Sequence, residues 1–419
     1  MVRHLIPISA LLLGSAFLLY AGGMNGLILP VRGSQEGFSA FSLGLLGTGW
    51  AIGYVLGCIM TPGLVGRVGH IRSFSVMASL AALAILASLL IITPWAWIPL
   101  RAISGFCFAG AAMIVESWLS ERVDASSRGR VFGVYTMVNL MATTTGQLTL
   151  TLGETGGYTF FVIGAMFYSL ALIPTAISST ATPKPLVKVR LDLGALWRNS
   201  PIAVYAVLMV GISNSAFGTL AAVYADQIGL SLTAIALFTS IPILAGALAQ
   251  LPVGQMSDRM DRRKVLIGIT IIGIVGDLAF IILQPELAWM NFVLVFVFGA
   301  AAYSMYPVIV AHANDHAEPD SYIQTSGGLL LVFGVGCIVG PLFAGFGMSA
   351  IGTSALFMTT IVVHILIVIY TLWRISRRAP VEQKHKVEFV PSAPTRTTTP
   401  ETVSLALTED EEESAGADT

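Results

Sequence analysis

Long apolar stretches follow one another along almost the whole of this chain. A stretch of about 20 mostly apolar residues is long enough for a helix to cross the hydrocarbon layer of a membrane. Twelve such stretches occur, at residues 5–29, 41–65, 73–92, 95–119, 131–153, 158–179, 201–224, 232–255, 265–284, 288–311, 323–347 and 353–374. Stretches without strict alternation are typical of helices and not of barrel strands. The sequence therefore predicts an all-α, polytopic membrane protein with 12 transmembrane helices in the lipid bilayer.

Composition excludes the common soluble classes of protein. Charged residues make up 11% of the chain and apolar residues 55%, whereas a soluble globular protein has roughly 25% charged residues. So few charges cannot cover the surface of a water-soluble protein of 419 residues. A cytosolic enzyme, a nucleic-acid-binding protein and a disordered scaffold are therefore excluded.

Basic residues predict the orientation of the helices, because Lys and Arg concentrate in cytoplasmic loops. If the N-terminus is cytoplasmic and the helices alternate, all but two of the 22 Lys and Arg fall on the cytoplasmic side. The exceptions are Arg32, in an external loop, and Arg101, inside a predicted span. We therefore predict that both termini are cytoplasmic.

Two polar segments divide the chain. The segment 180–200 separates six predicted helices in 1–179 from six in 201–379. Residues 380–419 are rich in Pro and Thr and hold 3 basic and 9 acidic side chains, a composition that cannot bury enough apolar surface to fold. We therefore predict a cytoplasmic linker at 180–200 and a disordered acidic cytoplasmic tail at 380–419.

The two predicted halves resemble each other when the sequence is shifted by 192 residues. Ser39 then falls on Ser231, and Arg67 falls on Arg259. Both serines precede an apolar stretch, where a serine side chain can cap the first turn of a helix. The shift predicts two pseudo-symmetric six-helix halves in parallel orientation.

A motif between the eighth and ninth predicted spans carries a family resemblance. The segment Gly254-Gln-Met-Ser-Asp-Arg-Met-Asp-Arg-Arg-Lys264 resembles the loop motif G-x-x-x-D-R-x-G-R-[RK] of the major facilitator superfamily and departs from it only at Asp261. The copy in the first half keeps Arg67, Gly69 and Arg72, with Gly66 in place of the acid. Arg101 and Gly105 also resemble the R-x-x-x-G pattern of the superfamily's fourth helix.

Two further segments resemble a poorly characterised bacterial branch of the superfamily. They are Glu116-Ser-Trp-Leu119 with Arg128-Gly-Arg130, and Ala313-Asn-Asp-His316 before a Gly-rich stretch. The resemblance implies the superfamily's two-halved fold, a multi-pass location in the bacterial cytoplasmic (inner) membrane, and a monomer.

The activity implied is secondary active transport of a small-molecule substrate by rocker-switch alternating access, coupled to an ion gradient, with protons as the coupling ion. The alternatives are a facilitator, a drug-type efflux pump, and a non-transporting membrane sensor on the same scaffold. The sequence has no Walker A, HExxH or GxSxG motif, which removes ATP-driven pumping and the common membrane hydrolases. We therefore expect neither an enzyme nor a cofactor.

Polar residues inside the predicted spans are candidates for the substrate cavity. Arg101 stands out because an intramembrane charge is costly and marks function by default. Gly105 lies on its helix face and predicts room beside the guanidinium, where a carboxylate could bind. The alternative is a structural charge that reaches towards the outer interface. Uncharged candidates, for which interhelical hydrogen bonds are the alternative, are Asn25, Gln147, Asn214, Tyr303, Tyr306 and Gln324.

Charged residues near the cytoplasmic ends are candidates for a lock that stabilises one conformational state. They are Arg67, Glu116, Arg128, Arg130, Asp258, Arg259, Arg262 and Arg263. Glu116 is expected among the basic residues of the first half, and Asp258 is expected to accept hydrogen bonds at the start of the loop. The alternatives for Glu116 are direct proton transport and a solvated helix end.

Other titratable residues fit structural roles better. Asp277 is an acid deep in a predicted span, where a pair with a neighbouring helix is favoured over ion coupling, and His364 is expected to be buried and hydrogen-bonded. His312 and His316 have the spacing of metal ligands, but a helix exit favours solvated side chains, and we expect no metal. Ser321 and Gln324 have the spacing of a capping box.

Overall fold

The computed structural model describes residues 9–122, 128–177, 193–318, 321–377, 381, 386–387, 389–390 and 399. Within them the chain forms helices and turns and no β-strand. The first half contains α1 (Ser9–Gln35), α2 (Ala40–Val68), α3 (His70–Leu90), α4 (Pro94–Arg122), α5 (Arg128–Thr149), α6 (Thr159–Leu170) and α7 (Leu172–Ile177). The short helix α8 (Leu193–Asn199) precedes the second half, which contains α9 (Pro201–Gln227), α10 (Leu232–Arg259), α11 (Arg262–Leu283), α12 (Ala288–Asn314), α13 (Tyr322–Ala350) and α14 (Ala355–Ile375).

Each predicted span coincides with helical structure. The fifth span is α5 followed by a 3-10 turn at Leu150–Leu152, and the sixth is divided between α6 and α7. In the part of the chain that the structure describes, eleven helical stretches are long and apolar enough to cross a membrane. Helix α5 is not among them because polar residues, including three consecutive threonines at 143–145, lower its apolar character. The predicted all-α, polytopic fold is confirmed.

The internal repeat is visible in the helix boundaries. Helices α1 and α9 begin and end 192 residues apart, and α2 and α10 begin at the same spacing. The predicted caps are present in both copies. Ser39 Oγ accepts a hydrogen bond from the backbone N–H of Ser42 at 3.2 Å, and Ser231 Oγ accepts one from Ala234 at 3.3 Å.

The described chain forms two compact units. The described residues of one unit lie within the ranges Met1–Phe38, Gly49–Lys188 and Thr399–Thr419, and those of the other lie within Ser39–Thr48 and Val189–Thr398. The segment Ser39–Thr48, which the sequence assigns to the first half, is grouped with the second unit. Residues 178–192 lie outside the described part of the chain, so the linker at 180–200 and the boundary at 179 stay predictions.

Close backbone approach between α2 and α4 organises the first unit. A Cβ atom on Gly53 would overlap the carbonyl oxygen of Ala102, and one on Gly105 would overlap the carbonyl oxygen of Trp50. Small residues at such crossings let helices pack where lipid supplies no hydrophobic drive. The expected room beside Arg101 is therefore wrong, since α2 fills the space that Gly105 leaves.

Aromatic rings fill the core of the second unit. Phe280 of α11 and Phe357 of α14 stack with their ring centroids 3.9 Å apart. Phe217 of α9 and Phe298 of α12 lie 4.6 Å apart beside them, so four helices of this half share one apolar core.

Described residues of the predicted tail are packed against the helices. Phe389 is buried against Gly254 of α10, and Thr399 is buried beside Glu116 of α4. Most of 380–419 lies outside the described residues, so the disordered tail stays a prediction.

We predict that Gly53→Val lowers the thermal unfolding midpoint of the detergent-purified protein by several degrees, because its side chain must push α4 away. Gly63→Val is the matched control in the same helix, where a Cβ meets nothing within 4 Å. Both changes replace glycine with the same residue, so helix propensity cancels between them. Equal midpoints for the two variants would contradict the packing role of Gly53.

Candidate functional site

A polar group of residues in the first unit joins α1 to α6 within the electrostatic reach of Arg101 in α4. The hydroxyl of Tyr168 in α6 interacts with the side chain of Asn25 in α1 and lies in the electrostatic field of Arg101 in α4. Asn25 and Tyr168 are buried, and Arg101 is half-buried. In the described part of the chain, Asn25 Oδ1 has no hydrogen-bond partner. The group thus combines a cation with a buried acceptor.

The other predicted cavity residues occupy different surroundings. Asn214 is buried and donates from Nδ2 to the carbonyl oxygen of Ala302 at 3.4 Å. Tyr306 is buried against Phe333, with 5.4 Å between ring centroids, whereas Tyr303 faces Gly246 of α10. Gln147 is half-buried in α5, and Gln324 is exposed in the first turn of α13. Of the predicted set, Asn25 and Arg101 both act on one residue, Tyr168.

Glu116 is buried in the first unit and contacts hydroxyl groups. Tyr135 of α5 donates to Glu116 Oε1 at 3.1 Å, and Thr399 donates to Oε2. Arg67 is exposed, and the side chains of Arg128 and Arg130 lie outside the described part of the chain. A charge lock between Glu116 and these arginines stays a prediction.

A buried arginine connects three helices of the second unit. Arg262, at the start of α11, is 1% exposed and pairs with Asp315, at the end of α12, at 2.7 Å from Nε to Oδ2. Its Nη1 donates to Asp258 Oδ1 at 3.1 Å and to Ser257 Oγ at 2.8 Å, both in α10. We name Asp258, Arg262 and Asp315 the charge relay. Arg259, which the sequence also assigned to the lock, is exposed.

Asp261, the residue that departs from the family motif, caps α11. Its Oδ1 accepts from the backbone N–H of Arg263 at 3.0 Å, and its Oδ2 accepts from Arg263 Nη2 at 2.8 Å. Burial alone raises the pKa of Asp261, but these hydrogen bonds and the nearby positive charge hold it below its ordinary value. The carboxylate therefore stays ionised at neutral pH and fixes Arg263 beside the helix start.

Asp277 and His364 form a fully buried hydrogen-bonded chain in the second unit. His364 Nδ1 lies 2.7 Å from Asp277 Oδ2, and Thr360 Oγ1 donates to Asp277 Oδ1 at 2.6 Å. Ser213 of α9 lies 3.0 Å from His364 Nε2. The predicted pairing of Asp277 with a neighbouring helix and the predicted buried histidine are both confirmed.

The histidine pair at the end of α12 makes local contacts. The rings of His312 and His316 lie 4.7 Å apart, and His316 Nδ1 is 2.9 Å from the carbonyl oxygen of His312. No group of three metal-ligating side chains occurs among the described residues. The predicted capping box is wrong, because Ser321 Oγ bonds backwards to the carbonyl of Glu318.

Sequence reasoning missed several partners because they are distant in the chain. Tyr168 and Tyr135 are ordinary aromatic residues of apolar spans, with no signal in the sequence for their contacts. Asp315 lies 53 residues after Arg262, at the end of the next helix, and no spacing in the sequence marks the two as partners.

The chain matches a family model and resembles known proteins. The model of the Major Facilitator Superfamily matches residues 11–246 and 203–407. The uncharacterised MFS-type transporter YcaD of Escherichia coli O7:K1 is 26% identical over 364 residues, which is 84% of this chain and 91% of that protein.

Solved structures give the same fold. A mutant form of the nucleoside transporter NupG superposes with a TM-score of 0.74 at 13% identity, covering 88% of this chain and 99% of that one. A bacterial homologue of the human lysosomal transporter Spinster, in an inward-facing and unoccupied conformation, has a TM-score of 0.66 at 14% identity. It covers 96% of this chain and 98% of that one.

We predict that Asp277→Val lowers the free energy of unfolding by about 3 kcal/mol or more, because it leaves a buried histidine without its acceptor. The double variant Asp277→Val/His364→Leu should recover much of this loss, since an apolar pair of similar size often replaces a buried polar pair without cost. Denaturation of the purified protein measures both. A double variant that is as unstable as the single variant would contradict a purely structural pairing.

Proposed function

Because the chain belongs to the major facilitator superfamily, we propose that it is a secondary active transporter that works by rocker-switch alternating access. Membership makes it a multi-pass membrane transport protein and not an enzyme. We further propose that it acts as a monomer in the bacterial cytoplasmic membrane, where it moves a small solute coupled to a proton gradient.

The charge relay is the observation that carries the proposal. A buried arginine with two carboxylate partners on separate helices has discrete arrangements, because each partner can be lost and regained. Such an element is suited to stabilise one state of an alternating-access cycle without touching the solute. Its place in the Gly254–Lys264 motif supports this role in the second half, and Glu116 is proposed for the corresponding role in the first.

The polar group within reach of Arg101 supports an anionic substrate. A guanidinium presents a planar fork that binds a carboxylate with two parallel hydrogen bonds. Asn25 Oδ1 adds an acceptor with no partner in the described part of the chain, and a buried acceptor of this kind favours a ligand with its own N–H or O–H group. We propose a small carboxylate that also carries a hydrogen-bond donor.

Proton coupling follows from the charge of such a substrate. Moving one negative charge into a cell with a negative interior costs about 2.3 kcal/mol per 100 mV. A proton that travels with the anion removes this cost. A facilitator would instead carry the anion only down its own electrochemical gradient.

We predict that Arg101→Lys weakens the binding of a small carboxylate by about 30-fold or more and that Arg101→Ala nearly abolishes it, because a charge-assisted partner in a partly dehydrated site is worth about 2 kcal/mol or more. A thermal-shift screen of the purified protein against hydroxy and amino carboxylic acids identifies the probe. Uptake of that acid into proteoliposomes, with and without an inward proton gradient, then measures transport.

Arg198→Lys is the matched control, since Arg198 is exposed in α8 and lies outside both copies of the loop motif. Arg101→Lys and the control variant should both leave the thermal unfolding midpoint, measured without ligand, unchanged. Equal uptake by the wild type and Arg101→Lys would contradict the substrate role and favour a structural charge. Uptake that ignores the proton gradient would identify a facilitator.

A further inference from the structure

The backbone of one tail residue occupies the charge relay. Val387 donates its N–H to Asp315 Oδ1 at 3.0 Å, and its carbonyl oxygen accepts from Arg262 Nη2. A single residue thus serves as donor to the acid and acceptor from the base of the same buried pair. This contact uses main-chain groups, so its specificity must come from the neighbouring side chains.

Lys386 binds the end of α10. Its Nζ donates to the carbonyl oxygens of Ser257 and Asp258, each at 3.4 Å, and to that of Met260. These carbonyls lie at the C-terminus of α10, where the last peptide groups have no partner within the helix and carry the negative end of its dipole. A lysine is therefore the appropriate side chain for this position.

Phe389 covers the first glycine of the Gly254–Lys264 motif. The three atoms nearest to a Cβ built on Gly254 all belong to the Phe389 ring, at 2.5–3.1 Å. The ring itself is buried. Gly254 therefore leaves the space that the aromatic ring of the tail occupies.

A second part of the tail contacts the first unit independently. Thr399 is fully buried and donates to Glu116, which is itself 1% exposed. The tail thus hydrogen-bonds to the buried acid of the proposed lock in each unit, Asp315 in one and Glu116 in the other.

We propose that Lys386, Val387 and Phe389 form an autoinhibitory strap, which docks on the charge relay and holds the Arg262–Asp315 pair closed. The pair cannot exchange partners while Val387 bonds to both of its members, so the strap must leave before the relay can open. The expected consequence is slower turnover, and this consequence rests on the proposed function. The docking of the strap and its effect on the charge relay are independent of that function.

Hydrogen exchange of the full-length protein in nanodiscs, followed by mass spectrometry, tests the strap without a substrate. We expect the Val387 amide to exchange at least tenfold more slowly than in a free peptide of the same sequence. Two variants should abolish this protection. Phe389→Ala removes the ring from the tail, and Gly254→Ala adds a methyl group where the ring packs. Val390→Ala in the tail and Gly268→Ala in α11, where a Cβ meets nothing within 4 Å, are the matched controls.

The last turn of α12, at 311–314, reports the opening of the relay in the same experiment. Its amides should exchange several-fold faster in Phe389→Ala and Gly254→Ala than in the wild type and the two controls. A Val387 amide that exchanges freely in the wild type would overturn the docking. Unchanged exchange in α12 after loss of the strap would overturn its hold on the relay and leave an inert tail. Neither result depends on whether the protein transports a solute.

Discussion

The hydrocarbon core of a membrane offers no hydrogen-bond partner, and this constraint determines most of the structure. Backbone groups are satisfied within long helices, so the apolar stretches of the sequence become helices almost residue for residue. Helices then pack through close backbone approach, because burial against lipid supplies no drive for association. Gly53 and Gly105 serve this purpose between α2 and α4.

The same constraint makes each buried charge informative. Arg262 is buried at the predicted cytoplasmic end, and its guanidinium is surrounded by Asp258, Ser257 and Asp315. Because an uncompensated charge there is costly, removal of one partner affects the others. The arrangement therefore behaves as a unit, and it joins the ends of α10, α11 and α12. Val387 of the tail adds a donor and an acceptor to the charge relay, where the loss of one contact affects the remaining ones.

Asp277 and Arg101 show two other ways of accommodating polarity in apolar helices. Asp277 is enclosed with His364, Thr360 and Ser213, and every described contact of its carboxylate is internal to the second unit. Arg101 is half-buried, and its charge acts on Tyr168, which interacts with Asn25. The enclosed network suits stability, whereas a half-buried cation suits the ligand binding proposed above.

Local patterns in the sequence predicted the helices of the fold. They could not predict which residues distant in the chain would contact each other. Apolar length gave the helices, and the 192-residue shift gave their repetition and the caps at Ser39 and Ser231, since all of these depend on neighbours in the chain. The motif identified the loop that contains Arg262 and the exposed Arg259, but it could not show that Asp315 is the partner of Arg262. Gly105 illustrates the same limit, because a missing side chain does not reveal whether a ligand or a second helix fills the space. Composition predicts a disordered tail, and it cannot reveal a single packed residue such as Phe389, because one residue does not change an average.

A double-mutant cycle on Arg262 and Asp315 tests the central claim most directly. Arg262→Met, Asp315→Asn and the double variant are purified, and their free energies of unfolding are measured by SDS titration in mixed micelles. The account predicts a coupling energy of about 1.5 kcal/mol or more, as found for close charge pairs out of water. The more exposed pair Arg32–Glu36, four residues apart in sequence, serves as the reference cycle and should give about 0.3–0.5 kcal/mol. A coupling energy for Arg262 and Asp315 no larger than that of the reference pair would contradict the account.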